Sequence, residues 1–168
     1  MSGQRELRFA IIGAGMSGIL SAIKLNEAGL TNYAIYEKTE RLGGTWRENT
    51  YPGVACDVPS HLYTYSFEPN PGWTQHFASG GEIQKYFEGV ARRFGVDGRI
   101  RTGVEVTRCA FVDGRWRLAL SDGTTDVEGG QDVVLVVAGG FGQVGHGGRA
   151  AQLDRQPVGE LPYLHRQL

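Results

Sequence analysis

LRFAIIGAGMSGILSAIKLNEAGLTNYAIYE, residues 7–37, places two apolar segments on either side of a glycine-rich hexapeptide and follows them with a third. Residues 7–12 are a short apolar run, which is typical of a buried parallel strand. Residues 16–28 repeat apolar side chains at helical spacing, and Gly29 follows where a helix cap is expected. Residues 33–36 read as a second strand that ends at Glu37. The stretch therefore predicts a right-handed βαβ unit with a parallel sheet, which is an α/β fold.

The hexapeptide GAGMSG has the pattern G-x-G-x-x-G at Gly13, Gly15 and Gly18, with Ser17 inside it. These glycines allow a tight turn, close approach of a pyrophosphate, and close packing of helix on strand. The helix start offers unpaired N–H groups that favour phosphate. Glu37 follows about 20 residues later, where a carboxylate accepts hydrogen bonds from a ribose.

This combination predicts a Rossmann-like dinucleotide-binding domain. Two simpler interpretations stay open, namely that the glycines form a bare turn and that Glu37 is an exposed charge at a strand end. The pattern alone does not distinguish FAD from NAD(P).

Composition limits the class of protein. The chain has 168 residues, a net charge of −1 and 21% charged residues, so charge gives no case for nucleic acid or an anionic membrane surface as a partner. The longest apolar run near the N-terminus, residues 9–12, is too short for a signal peptide or a membrane span. The two cysteines suit a reducing compartment, and the four histidines match no metal spacing. We expect a cytoplasmic protein without a metal site.

Residues 38–78 show little periodicity but many aromatic side chains, which predicts a long ordered segment; we call it the excursion. A capped amphipathic helix follows, with Ser79 as N-cap, Glu82 completing a capping box, and Gly95 at the end. Short strands at 104–111, 116–120 and 124–127 are joined at two Asp-Gly turns and predict an antiparallel meander. Residues 132–138 read as another buried strand.

Four further motifs identify a resemblance. RLGGTW (41–46), YPGVACD (51–57), YTYSF (63–67) and DGRW (113–116) follow the glycine-rich turn in order. In this arrangement, roughly residues 7–137 resemble the flavin-dependent monooxygenases of the Baeyer–Villiger and flavin-containing type. The resemblance implies FAD as the first nucleotide, with NADPH and O₂ used by the complete enzyme. It implies a small-molecule substrate, a ketone, sulfide or amine.

The resemblance also implies roles for residues of the excursion. Gly43 and Gly44 would let the backbone pass close to the cofactor. Cys56 and Asp57 would face the nicotinamide, with Asp57 the candidate catalytic residue. Other cofactor contacts would come from Thr45, Trp46 and Tyr63 beside the flavin and from Val106 near the adenine. Simpler roles stay open: Trp46 as a core aromatic, Cys56 as a small packed residue, and Asp57 as a turn cap. Thr50 stands where relatives often carry arginine.

The resemblance ends near residue 138. Neither a second G-x-G-x-x-G after a strand nor the family motif F-x-G-x-x-x-H follows. We therefore expect an incomplete FAD-binding domain over residues 1–138 and a flexible tail over 139–168. Two functions remain open: the FAD-binding part of a monooxygenase, truncated or completed by another chain, and a non-catalytic dinucleotide-binding or interaction module.

Overall fold

The computed structural model describes residues 7–112, 115–126, 132–137 and 152–153. Two turns of 3₁₀ helix lie at Ser60–Leu62 and Asp97–Arg99. The helices and strands in chain order are β1 Leu7–Ile12, α1 Met16–Glu27, β2 Tyr33–Glu37, α2 Thr45–Glu48, α3 Gly80–Arg93, β3 Ile100–Thr102, β4 Val106–Val112, β5 Arg115–Leu120, β6 Thr125–Asp126, β7 Asp132–Val137 and β8 Gln152–Leu153.

The first sheet is parallel and has the strand order β3-β2-β1-β7. β1 pairs with β2 from Phe9↔Tyr33 to Ile12↔Tyr36, and α1 crosses between them. The predicted βαβ unit and α/β class are thus confirmed. β3 was not predicted, because three residues are too few to show a period.

The two faces of this sheet have different neighbours. Phe9, Ile11 and Ile35 belong to a core that also contains the buried side chains of α1 and α3 and part of the excursion. Ala10 and Tyr36 point to the opposite face, because side chains alternate along a strand, and belong to a second core with β4 and β5. The parallel sheet therefore lies between the helices and the meander.

The second sheet has the order β6-β5-β4-β8. β4, β5 and β6 pair antiparallel, which confirms the predicted meander, and Gly123 takes φ +82° at its second turn. The first Asp-Gly turn, at 113–114, lies outside the described residues. So does most of the predicted tail at 139–168, and with it the proposed domain boundary at 138. Within that tail, Gln152–Leu153 pairs parallel with β4.

α3 begins as its sequence predicts. The Ser79 side chain accepts a hydrogen bond from the Glu82 N–H, at 3.4 Å. The Glu82 carboxylate does not return this bond as in a full capping box. It accepts instead from the N–H and hydroxyl of Thr74, at 2.9 and 3.0 Å. The helix thereby also fastens the end of the excursion.

The described ranges contain neither a membrane-spanning helix nor a cluster of metal-ligating side chains. Neither α1 nor any other helix in them is long and apolar enough to cross a membrane. No group of three or more His, Cys, Asp or Glu side chains in the same ranges is arranged to hold a metal ion.

Candidate functional site

The glycine-rich turn joins the carboxyl end of β1 to the start of α1. Gly13 takes φ +95°, a conformation that favours glycine, and its N–H donates to the Tyr36 carbonyl at 2.8 Å. Gly15 is the N-cap of α1 at φ −81°, and Gly18 is buried in the first turn. The predicted turn therefore sits at the carboxyl edge of the parallel sheet, where ligands of open α/β folds bind.

Four backbone donors at this turn have no acceptor among the described residues. They are the N–H groups of Gly15, Met16, Ser17 and Gly18; the first helical bond runs from the Ile19 N–H to the Gly15 carbonyl, at 3.1 Å. No side chain in the described part of the chain caps α1, and its first turn, which is fully described, has no acidic residue. Unpaired N–H groups and the positive end of the helix dipole together favour an anion here.

Glu37 lies beside the turn at the end of β2, and its side chain is buried, at 4% exposure. Its Oε2 accepts from the Ala14 N–H at 2.8 Å, and its Oε1 accepts from the N–H and hydroxyl of Thr39 at 3.0 and 2.9 Å. The carboxylate therefore braces the glycine-rich turn. This role was not foreseen, and it replaces the simpler interpretation of an exposed charge. Oε2 holds a single described hydrogen bond and keeps capacity for a second.

The GGTW segment packs directly against the glycine-rich turn. The Gly43 N–H donates to the Ala14 carbonyl at 3.1 Å. A Cβ on Gly44 would lie 3.1 Å from the Gly15 Cα, and one on Gly15 would lie 3.5 Å from the Gly44 Cα. Gly44 also takes φ +55°. The resemblance implied close passage of this backbone past the cofactor, which stays a prediction; its neighbour in the structure is the other glycine segment.

Trp46 and Tyr63 form a pair within the excursion. The Trp46 indole Nε1–H donates to the Tyr63 hydroxyl at 3.0 Å, and the rings meet edge to face with centroids 5.4 Å apart. Both are partly buried against the main core, whereas Thr45, the first residue of α2, is exposed. Trp46 therefore has a packing role, which leaves the predicted contact with a flavin untested.

Cys56 and Asp57 point to opposite sides of a short ribbon. The Cys56 N–H donates to the Ala78 carbonyl at 2.9 Å, and Ala55 and Ser79 form an antiparallel bridge. Cys56 is buried in the main core, as the simpler interpretation expects. Asp57 is exposed and has no hydrogen bond or ion pair with another described residue, so it caps no turn within that part of the chain.

Val106 lies on the other face of the sheet. It is 4% exposed in the second core, together with Tyr36 of β2. The neighbouring Val104 N–H donates to the Glu37 carbonyl at 3.0 Å, which holds the start of β4 at the end of β2. The structure thus brings the glycine-rich turn, Glu37 and Gly44 together, while Val106 is a buried core residue beside them.

The sequence missed Tyr65, although it lies in the YTYSF motif. Its hydroxyl donates to the carbonyl of Met16, the first residue of α1, at 2.5 Å. Burial, together with the nearby Tyr86 and Tyr63, holds the pKa of the Tyr65 phenol above its ordinary value. The hydroxyl therefore stays protonated as a donor. The only signal for it was the run of aromatic residues after the YPG turn.

Several known proteins are similar to this chain in sequence. Residues 11–79 match the family described as an NAD(P)-binding Rossmann-like domain. An uncharacterized monooxygenase of Mycobacterium tuberculosis is 57% identical over 115 residues, covering 68% of this chain and 23% of that protein. A Baeyer–Villiger monooxygenase of Streptomyces coelicolor is 42% identical over 136 residues, covering 80% and 25%.

A solved structure agrees with these relatives. OTEMO in complex with FAD and NADP superposes with a TM-score of 0.66 at 31% identity, covering 73% of this chain and 24% of that one. The chain thus spans about a quarter of the length of the proteins it matches. It is homologous to the N-terminal part of the flavin-dependent monooxygenases of the Baeyer–Villiger type, as its motifs predicted.

Proposed function

We propose that this chain binds FAD through the glycine-rich turn, as the FAD-binding part of an NADPH- and O₂-dependent monooxygenase. The observation that carries the proposal is the set of four N–H groups at Gly15–Gly18, next to the Glu37 carboxylate, that have no acceptor among the described residues. A pyrophosphate is an anion that accepts several such hydrogen bonds. The residues present therefore fit the central part of FAD, and OTEMO, which this chain resembles, was solved in complex with FAD.

Each candidate residue has a role in the proposed FAD site. The N–H groups of the turn, Ser17 included, would hold the pyrophosphate, and Glu37 Oε2 would accept from the ribose. Thr45, Trp46 and Tyr63 would border the flavin, and Val106 would lie toward the adenine. Asp57 would belong to the nicotinamide side, where its exposed carboxylate would meet a ligand; Cys56, buried in the main core, would lie behind it on that side.

When bound, FAD supplies a ring that takes up hydride and reacts with O₂. The chain's own contribution is to bind and orient that group with backbone donors and a buried carboxylate. For the complete protein we propose oxygen insertion into a ketone or oxygen transfer to a sulfide or amine. The NADPH site and the substrate pocket would then lie in the remaining three quarters of the relatives' length, or in a completing chain, within a cytoplasmic enzyme.

A second function stays possible for the same fold, namely a non-catalytic dinucleotide-binding or interaction module. The observation in its favour is the coverage of only 23–25% of the first relatives. The colour of the purified protein separates the two. A yellow protein with flavin absorbance supports the FAD-binding role, and a colourless, folded protein that does not take up FAD supports the second.

We also propose that the 168-residue chain does not oxygenate substrates by itself. Hydride transfer requires the nicotinamide to be held against the flavin, and such positioning accounts for many orders of magnitude in rate. The assay mixes purified protein, FAD, NADPH, O₂ and a ketone or sulfide. We expect slow, uncoupled NADPH oxidation at most. Steady NADPH-dependent formation of an ester or sulfoxide would contradict this part of the proposal.

A further inference from the structure

Tyr65 links the excursion to the start of α1. Its hydroxyl donates to the Met16 carbonyl at 2.5 Å, and its side chain is 4% exposed. The ring stacks on Phe67, with centroids 5.2 Å apart and planes 6° from parallel, and meets the edge of Phe87 of α3 at 5.6 Å. The phenol is therefore fixed in position by its neighbours on α3 and within the excursion.

The backbone of Tyr65 is fixed as well. Its N–H donates to the Tyr86 hydroxyl at 2.9 Å, and that hydroxyl donates to the Glu68 carbonyl at 2.7 Å. Tyr86 belongs to α3. These two bonds fasten the backbone of the excursion to α3, whereas the bond to the first residue of α1 comes separately from the Tyr65 side chain.

The Met16 carbonyl matters because of the N–H that shares its peptide unit. In a trans peptide the C=O and the following N–H point in opposite directions, and no cis bond occurs among the described residues. Holding the Met16 carbonyl toward Tyr65 thus turns the Ser17 N–H away from the core. In the same way, the hydrogen bond from the Gly43 N–H fixes the Ala14 carbonyl and so sets the direction of the Gly15 N–H, which shares its peptide unit.

Both of these N–H groups lack an acceptor in the described part of the chain. We propose that Tyr65 is a positioning residue for phosphate binding: its hydroxyl holds the peptide plane that aims the Ser17 N–H at the pyrophosphate. This inference rests on the proposed FAD site and adds a residue from outside the glycine-rich turn to it. Tyr65 touches the peptide that bears the donor and acts on the ligand through it.

The variant Tyr65→Phe tests this inference in the full chain. It keeps the ring and removes only the hydroxyl, so the Met16 carbonyl keeps its helical bond from the Leu20 N–H and loses the second donor that fixes its direction. We expect the dissociation constant for FAD to rise about tenfold, since one well-aimed hydrogen bond is lost. Inorganic pyrophosphate, added as a competitor of FAD, should lose affinity by a similar factor, which a change confined to the flavin side would not cause.

Tyr86→Phe is the matched control. It also removes a hydrogen-bonded hydroxyl from the same aromatic cluster, but within the described ranges that hydroxyl hydrogen-bonds only to backbone of the excursion and not to α1. We expect its FAD affinity to stay within about twofold of wild type, while both variants lose comparable thermal stability. Phe67→Leu is a second test, because it removes the ring that stacks on Tyr65 and keeps the Tyr65 hydroxyl. The FAD affinity of this variant should lie between those of Tyr65→Phe and Tyr86→Phe.

The outcomes separate the inference from the function on which it rests. Wild type that binds neither FAD nor pyrophosphate would overturn the proposed function, and the inference with it. Wild type that binds both, with Tyr65→Phe unchanged or equal to Tyr86→Phe, would overturn the inference alone. Should Tyr65→Phe not fold, unchanged affinity in Phe67→Leu would likewise overturn it, and weakened affinity for both ligands would support it.

Discussion

Replacing Gly44 by alanine tests the contact between the two glycine segments. Gly44 has φ +55° and ψ −127°, which lies outside the regions open to residues with a Cβ. The new Cβ would also meet the Gly15 Cα at 3.1 Å. Because that neighbour is backbone, it cannot rotate aside, and the turn that carries it is fixed by the Gly13 and Glu37 hydrogen bonds.

The magnitude follows from these two costs. A residue forced into a region reserved for glycine costs about 1–3 kcal/mol, and overpacking adds about 1 kcal/mol or more. We expect the free energy of unfolding to fall by about 2–4 kcal/mol. Gly53→Ala is the matched control, because Gly53 has φ +83° but no atom of the described residues within 4 Å of its Cβ position. It should cost only about 1–2 kcal/mol.

Thermal and urea unfolding, followed by circular dichroism, measure the difference. For a chain of this size each kcal/mol lowers Tm by about 2–4 °C. The reasoning is refuted if Gly44→Ala is as stable as Gly53→Ala, since the close approach of the two segments would then have no energetic consequence.

Three further predictions concern binding and pH. Gly15→Ala should fold normally, because Gly15 has φ −81° and the new Cβ would lie 3.5 Å from the Gly44 Cα. The variant should nevertheless lose FAD, because the new methyl group occupies the approach of the pyrophosphate. Equal flavin content in the variant and wild type would contradict this. Glu37→Gln should weaken FAD binding by roughly 1.5–3 kcal/mol and also lower Tm, because an NH₂ replaces an acceptor for Ala14 or Thr39. Burial raises the pKa of Tyr65, so the folded chain keeps a proton that the unfolded chain loses above about pH 10. Stability should then fall with rising pH by up to about 1.4 kcal/mol per unit, and Tyr65→Phe should flatten that slope in urea titrations.

Most of the fold was predictable from local sequence patterns. The strands and helix of residues 7–37 and the helix that begins after Ser79 were predictable, because periodicity, glycine position and capping act within a few residues of each other. β3 was not predicted because three residues at a sheet edge are too few to show a hydrophobic period. The meander was predictable from its Asp-Gly turns.

The contacts that build the site were less predictable. The Glu37 bond to Ala14, the Gly15–Gly44 approach and the Tyr65 bond to Met16 join residues far apart in the chain. Each depends on how the excursion folds back over the glycine-rich turn, and no local pattern encodes that path. Resemblance to a family identified GGTW and YTYSF as important segments, but only the structure gives their partners.

Equilibrium binding of FAD and of NADH to the purified 168-residue chain tests the central claim most directly. Flavin fluorescence and ligand-dependent Tm would report each affinity under the same conditions. The account predicts that FAD binds and raises Tm, that NADH has little effect, and that Gly15→Ala abolishes the response to FAD. Selective stabilisation by NADH, with no response to FAD, would contradict it.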